Sequence, residues 1–84
     1  MSLKLYVVSC DLLQPGDYGS LKERLRALGA TPVLKTQWAL RTSFTAAELK
    51  EILREYLDDA DRILVAEVGA EWASRRALIN LANL

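Results

Sequence analysis

The sequence predicts one α+β domain, because short apolar segments typical of strands are interspersed with two segments of helical periodicity. A chain of 84 residues has room for one hydrophobic core and not for two. Hydrophobic residues make up 51% of the chain, which is more than a small monomer buries easily. This excess indicates a self-association surface, and we expect a homodimer.

The first element is a predicted strand from Leu3 to Cys10, a short run dense in aliphatic and β-branched residues. Its apolar residues are consecutive, which favours a central strand with one face under the helices. Asp11 ends the run, and Pro15-Gly16 marks the loop that follows.

The first predicted helix begins at Asp17, its expected N-cap, and ends at Leu28. Gly29 occupies the C′ position, where a left-handed residue is needed. Apolar residues recur at spacings of three and four along this segment, and they are Tyr18, Leu21, Leu25 and Leu28.

Two short strands are predicted between Thr31 and Thr42, with a tight connection near residues 35–37. The second helix follows a capping box, in which the side chains of Thr45 and Glu48 each bond to the other's backbone N–H. Its apolar stripe consists of Leu49, Ile52, Leu53, Tyr56 and Leu57. Asp58-Asp59 are expected in the turn after this helix, because acids at a helix C-terminus oppose the dipole.

The last predicted strand runs from Arg62 to Val68, and residues 72–84 predict either a short helix or an edge strand added to a partner. The order is therefore strand–helix–strand–strand–helix–strand with a tail. Right-handed crossovers close this order into a ferredoxin-like fold, a four-stranded antiparallel sheet with both helices on one face. We expect residues 1–84 to form a single domain, with 3–68 as its core and 69–84 as its tail.

Composition removes several classes of function. The chain has no histidine, which excludes Ser-His and Cys-His nucleophile pairs and histidine metal sites. Eleven basic residues balance eleven acidic ones, so the overall basic field of a constitutive DNA-binding protein is missing. One cysteine, and no run of the roughly 18–20 apolar residues that spans a bilayer, predict a cytoplasmic protein with no membrane segment.

Asp11 is the principal site candidate, because a carboxylate at a strand end is exposed and held in a fixed direction. One interpretation is a ligand of Mg²⁺ or Mn²⁺ in a two-fold dimer, where two copies of Asp11 meet and substrate phosphate and water complete the octahedron. The other is an aspartate that begins the loop by bonding its own backbone. Glu67 would be a second acid if its strand neighbours the first.

Further candidates surround this acid in the sequence. Ser9 shares the strand face of Asp11, and Cys10 points to the opposite face as a small buried hydrophobe. A phosphate-binding surface would use four arginines, whose planar guanidinium groups suit phosphate: Arg41, Arg62, Arg75 and Arg76. Each of them is also compatible with an ordinary solvated position. Trp38 and Trp72 suit either base stacking or packing.

Four segments, taken together, carry a family resemblance: Tyr6-Val7-Val8-Ser9-Cys10-Asp11, Leu25-x-x-Leu28-Gly29-Ala30, Gln37-Trp38-Ala39-Leu40 and Arg62-Ile63-Leu64-Val65. They are similar to the CRISPR-associated protein 2 family, and closest to its solitary, SinR-like relatives. The resemblance covers residues 3–68, and the strand ending in aspartate is its most specific part. The virulence-associated protein D ribonucleases share the expected architecture.

The resemblance implies a ferredoxin-like homodimer in which Asp11 is the metal ligand for phosphodiester cleavage, with Tyr6 and Ser9 in the surrounding motif. It also implies a structural role on DNA in adaptation complexes. Two functions follow as expectations. One is a Mg²⁺- or Mn²⁺-dependent endonuclease acting on RNA or DNA. The other is a non-catalytic dimeric adaptor that binds nucleic acid, or a protein partner through the tail.

Overall fold

The structure is a computed structural model that describes residues 3–12 and 18–84. Its elements follow the predicted order: β1 (Lys4–Asp11), α1 (Gly19–Ala27), β2 (Thr31–Leu34), β3 (Gln37–Thr42), α2 (Ala46–Arg54), β4 (Arg62–Glu67) and a 3₁₀-helix (Leu81–Asn83). The four strands form one sheet in the order β2-β3-β1-β4, and every neighbouring pair is antiparallel. The predicted α+β, ferredoxin-like arrangement is confirmed.

β1 lies in the middle of the sheet and fixes the register of both neighbours. Against β3 it pairs from Lys4 with Thr42 to Ser9 with Gln37. Against β4 it pairs Asp11 with Arg62. The end of β1 therefore lies beside the first residue of β4, which places an acid and a base side by side at one end of the sheet.

Both helices pack on one side of the sheet, which we call the helix face. Alternate residues of β1 point into this core, from Tyr6 through Val8 to Cys10, as the two-residue period of a strand requires. The helices contribute four leucines that are at most 2% exposed, namely Leu21, Leu25, Leu49 and Leu53. Trp38 is buried in the same core, so the packing interpretation of this tryptophan is confirmed.

The helix ends follow their sequence signals with one exception. Gly29 has φ +88°, and Gly29 and Ala30 donate backbone hydrogen bonds to the carbonyls of Arg26 and Leu25, which completes a Schellman motif. Thr45 and Glu48 form the predicted capping box.

The exception is the start of α1. The N-cap residue of α1 is Tyr18, without a side-chain cap, and not Asp17 as expected; Asp17 and the loop Pro15-Gly16 lie outside the described residues. Asp58-Asp59 lie beyond the end of α2 at Arg54, as the dipole argument predicted.

The tail, residues 69–84, differs from the prediction of a short α-helix. Apart from the 3₁₀-helix it is irregular, and it crosses the other side of the sheet, which we call the tail face. Leu81 is buried there against Leu5, Val33 and Ala39. The N–H of Leu78 donates to the carbonyl oxygen of Val33 at 2.7 Å. Packing against the sheet thus overrides the helix propensity of this segment.

In the part of the chain that the structure describes, no helix has the length and apolar character needed to cross a membrane.

Candidate functional site

The candidate site is a cleft at the end of β1. It has a volume of about 270 Å³ and is lined by Ser9, Cys10, Asp11, Thr36, Arg62, Ile63 and Leu64. Two strands and one turn supply these residues, because β1 ends beside the start of β4 and beside the β2–β3 turn. The turn is fixed to β1 by a hydrogen bond of 3.1 Å from the N–H of Cys10 to the carbonyl oxygen of Thr36.

Asp11 and Arg62 form an ion pair in this cleft. The distance from Arg62 Nη1 to Asp11 Oδ2 is 3.7 Å, and the side chains are 75% and 63% exposed respectively. A pair this exposed contributes about 0–1 kcal/mol, because solvent screens it. The Asp11 carboxylate therefore lies beside Arg62 and is still accessible to a ligand.

Ser9 lies on the tail face, as predicted from its alternation with Cys10. Its hydroxyl oxygen accepts a hydrogen bond of 3.0 Å from Gln37 Nε2 on β3. Leu64, directly opposite Ser9 on β4, is 63% exposed. The tail face around the cleft is thus part polar and part apolar, and the tail leaves this part of the sheet accessible.

Cys10 is buried on the helix face with its thiol free, which confirms its interpretation as a small hydrophobe. Burial raises the pKa of the Cys10 thiol to about 11, and the nearby carboxylates of Asp61 and Asp11 add to the increase. The thiol is protonated at neutral pH, so it is a poor nucleophile.

The Cys10 pKa predicts a specific pH dependence of stability. The pKa is 9.0 ordinarily and about 11 in the folded chain, so between these values the unfolded chain releases a proton that the folded chain keeps. Stability is full below about pH 9 and falls as pH rises towards 11. Urea unfolding at pH 8 and pH 10 should show a larger loss for the wild type than for Cys10→Ala. Equal losses would contradict the assigned burial effect.

Glu67 is not a second acid of this site. β4 does neighbour β1, but Glu67 pairs with Tyr6, five residues along β1 from Asp11. This separation is about 16 Å at the rise of a strand. Glu67 instead lies 3.9 Å from Lys4 Nζ at the opposite end of the sheet.

The four candidate arginines do not form one surface. Arg62 lies in the cleft with Asp11, and Arg75 lines a neighbouring cleft beside Gln37. Arg41 is opposite Leu5, about 20 Å from Asp11 along β1, and its Nε donates to the carbonyl oxygen of Leu84. Arg76 is exposed in the tail with φ +57°. Their role in nucleic-acid binding stays a prediction.

Three residues of the cleft were not identified as site residues from the sequence, and they are Thr36, Ile63 and Leu64. Thr36 was assigned only to a turn, and no local signal places a turn beside a particular strand end. Ile63 and Leu64 were assigned to a strand, but the sequence did not show which face of the sheet each side chain would occupy. Ile63, Leu64 and Val65 are all apolar, so the sequence shows no alternation between apolar and polar residues here. Only the sheet register shows that Leu64 is the exposed residue of the three.

Asp11 is the one carboxylate among the described residues that line this cleft. Within residues 3–12 and 18–84, no three His, Cys, Asp or Glu side chains are grouped as metal ligands. One described chain by itself therefore does not supply an all-protein site for Mg²⁺, which keeps several waters and needs one or two carboxylates with substrate phosphate.

The fold and site together define an α+β protein of ferredoxin-like arrangement, with an acid–arginine pair in a cleft at the end of its central strand. Comparison with protein-family models and with curated proteins finds no match to this chain. The resemblance to the CRISPR-associated protein 2 family stays a prediction from the four segments.

Proposed function

We propose that this protein is a homodimeric, metal-dependent endonuclease related to the CRISPR-associated protein 2 family, acting on nucleic-acid phosphodiesters. The observation that carries the proposal is the position of Asp11. It is an exposed carboxylate on the central strand, in a cleft that also holds Arg62. A free, buried Cys10 thiol suits the reducing cytoplasm, which is the compartment we propose.

The dimer supplies what one chain lacks. Two copies of Asp11 around a two-fold axis provide two carboxylates, and phosphate oxygens and water complete the ligand set of Mg²⁺ or Mn²⁺. Leu64 supports a dimer contact beside Asp11. Its apolar side chain is 63% exposed, and burying it against a partner chain would contribute hydrophobic stabilisation. Opening the Asp11–Arg62 pair costs little, since the pair is screened by solvent.

The residues of the cleft have separate roles in this proposal. A bound divalent ion would stabilise charge on the phosphate and lower the pKa of a bound water. Arg62, released from Asp11, would bind a non-bridging phosphate oxygen with its planar guanidinium group. The hydroxyl oxygen of Ser9 already accepts a hydrogen bond from Gln37 Nε2. Its O–H would therefore donate a hydrogen bond to the substrate.

The second candidate function is a non-catalytic dimeric adaptor. The observation that favours it is the apolar surface of the tail, where Leu78 is 65% and Trp72 is 37% exposed. A protein partner that covers these side chains would gain hydrophobic stabilisation. In that case Asp11 would only end the strand and pair with Arg62.

Calorimetric titration with Mg²⁺ and Mn²⁺ tests the proposal against the adaptor. We expect saturable binding by a dimer with one ion for two chains, and at least a tenfold loss of affinity in Asp11→Asn. Size-exclusion chromatography with light scattering of the same samples gives the oligomeric state. Glu67→Gln is the matched control, because it also removes one exposed, ion-paired acid from the sheet.

The outcomes separate the two functions. Binding that is lost in Asp11→Asn and kept in Glu67→Gln supports the metal site. A dimer that binds neither ion, or one whose ion binding is unchanged by Asp11→Asn, overturns the nuclease proposal. The adaptor function is then the one that is left.

A further inference from the structure

A second cleft lies next to the Asp11 site, between the tail and the β2–β3 hairpin. Its volume is about 280 Å³, and its lining residues are Val33, Leu34, Gln37, Ala73, Ser74, Arg75, Ala77 and Leu81. The cleft exists because the tail crosses the tail face and is anchored by Leu81. The nuclease proposal does not use it.

The polar groups of this cleft are suited to an anion. Arg75 brings a guanidinium group, Ser74 a hydroxyl and Gln37 an amide, and none of the described residues that line the cleft is aspartate or glutamate. Guanidinium and hydroxyl groups are the usual donors to phosphate oxygens. Arg75 is the one charged side chain among the described lining residues, so this cleft carries a positive charge. The Asp11 cleft, in contrast, carries one charge of each sign.

One hydrogen bond joins the two clefts. Ser9 lines the Asp11 cleft and Gln37 lines the second one, and Gln37 Nε2 donates to Ser9 Oγ at 3.0 Å. From β4, which carries Arg62, to β2 at the second cleft is three strand spacings, or about 14 Å. A nucleic-acid strand bound across this end of the sheet would meet both clefts.

We propose that the second cleft is a phosphate subsite, in which Arg75 and Ser74 bind a phosphate flanking the one at Asp11. The inference rests on the proposed nuclease function and deepens it, because it makes the tail part of the nucleic-acid interface. It selects Arg75 from the two adjacent arginines: Arg75 lines the cleft, whereas Arg76 does not.

The experiment is fluorescence anisotropy with a labelled single-stranded oligonucleotide, as RNA and as DNA, at several salt concentrations. EDTA is present, so metal-dependent cleavage does not disturb the measurement. We expect Arg75→Gln to weaken binding about tenfold at low salt and to reduce the slope of log K against log salt by about 0.7–1, the value of one phosphate contact. Arg76→Gln removes the same charge from the next residue and should change affinity less than about twofold.

Equal effects of the two substitutions on affinity would overturn the subsite, because they would show that Arg75 acts only through the net charge of the protein. Absence of oligonucleotide binding by the wild type would overturn it as well. The subsite and the nuclease fail separately: binding that depends on Arg75 without Asp11-dependent cleavage rejects only the nuclease. Cleavage that depends on Asp11, with Arg75→Gln binding like the wild type, rejects only the subsite.

Discussion

Asp11→Asn is expected to lower metal-dependent cleavage of nucleic acid at least about 100-fold, which corresponds to about 2.7 kcal/mol of transition-state stabilisation. The amide keeps the size of the carboxylate and removes its charge, so it no longer holds a hard cation. The measurement is the single-turnover rate on labelled RNA and DNA in Mg²⁺ and in Mn²⁺. Asp11→Glu restores the charge one methylene further out and should recover part of the rate.

The controls for this result come from the same sheet. Glu67→Gln removes an exposed acid at the opposite end and should cleave like the wild type. Arg62→Gln frees the Asp11 carboxylate and removes the proposed phosphate ligand, so we expect tighter metal binding together with slower cleavage. Cleavage at the wild-type rate by pure, folded Asp11→Asn would show that the activity does not depend on Asp11, and it would overturn the proposed site.

Leu40→Ala has the largest expected effect on stability. Leu40 lies on β3 in the middle of the sheet and is 0% exposed against the helices. Truncating a leucine at such a site costs about 2–5 kcal/mol, because transfer free energy is lost and a cavity remains. A small domain has only about 5 kcal/mol at the low end of the usual range, so a loss at the upper end would leave about half of the molecules unfolded. Urea unfolding followed by circular dichroism gives the midpoint.

Leu3→Ala makes the same chemical change at a residue that is 59% exposed, and it should alter the free energy of unfolding by no more than about 0.5 kcal/mol. Similar unfolding midpoints for Leu3→Ala and Leu40→Ala would contradict the assignment of Leu40 to the core. A reduced slope of unfolding in Leu40→Ala would instead indicate a loosened native state, and the wild-type slope serves as the reference.

The elements of the core were predictable because their signals are local. A capping box at Thr45 and a glycine at position 29 fix helix ends through bonds between residues a few positions apart. The aliphatic run of β1 predicts a central strand, and the spacing of leucines in the helices indicates which face of each helix is buried. The order of these elements then leaves few ways to close an antiparallel sheet.

The sequence by itself also determined that Asp11 is exposed at a strand end and that Ser9 and Cys10 lie on opposite faces. Only the tertiary structure decided which residues meet Asp11. The register of β1 with β4 brings Arg62 to it and takes Glu67 to the other end of the sheet. The tail, predicted as a short helix or as an edge strand added to a partner, lies on the tail face. Such contacts depend on pairing between distant segments, and a shift of one residue in register would turn every side chain of the strand to the other face.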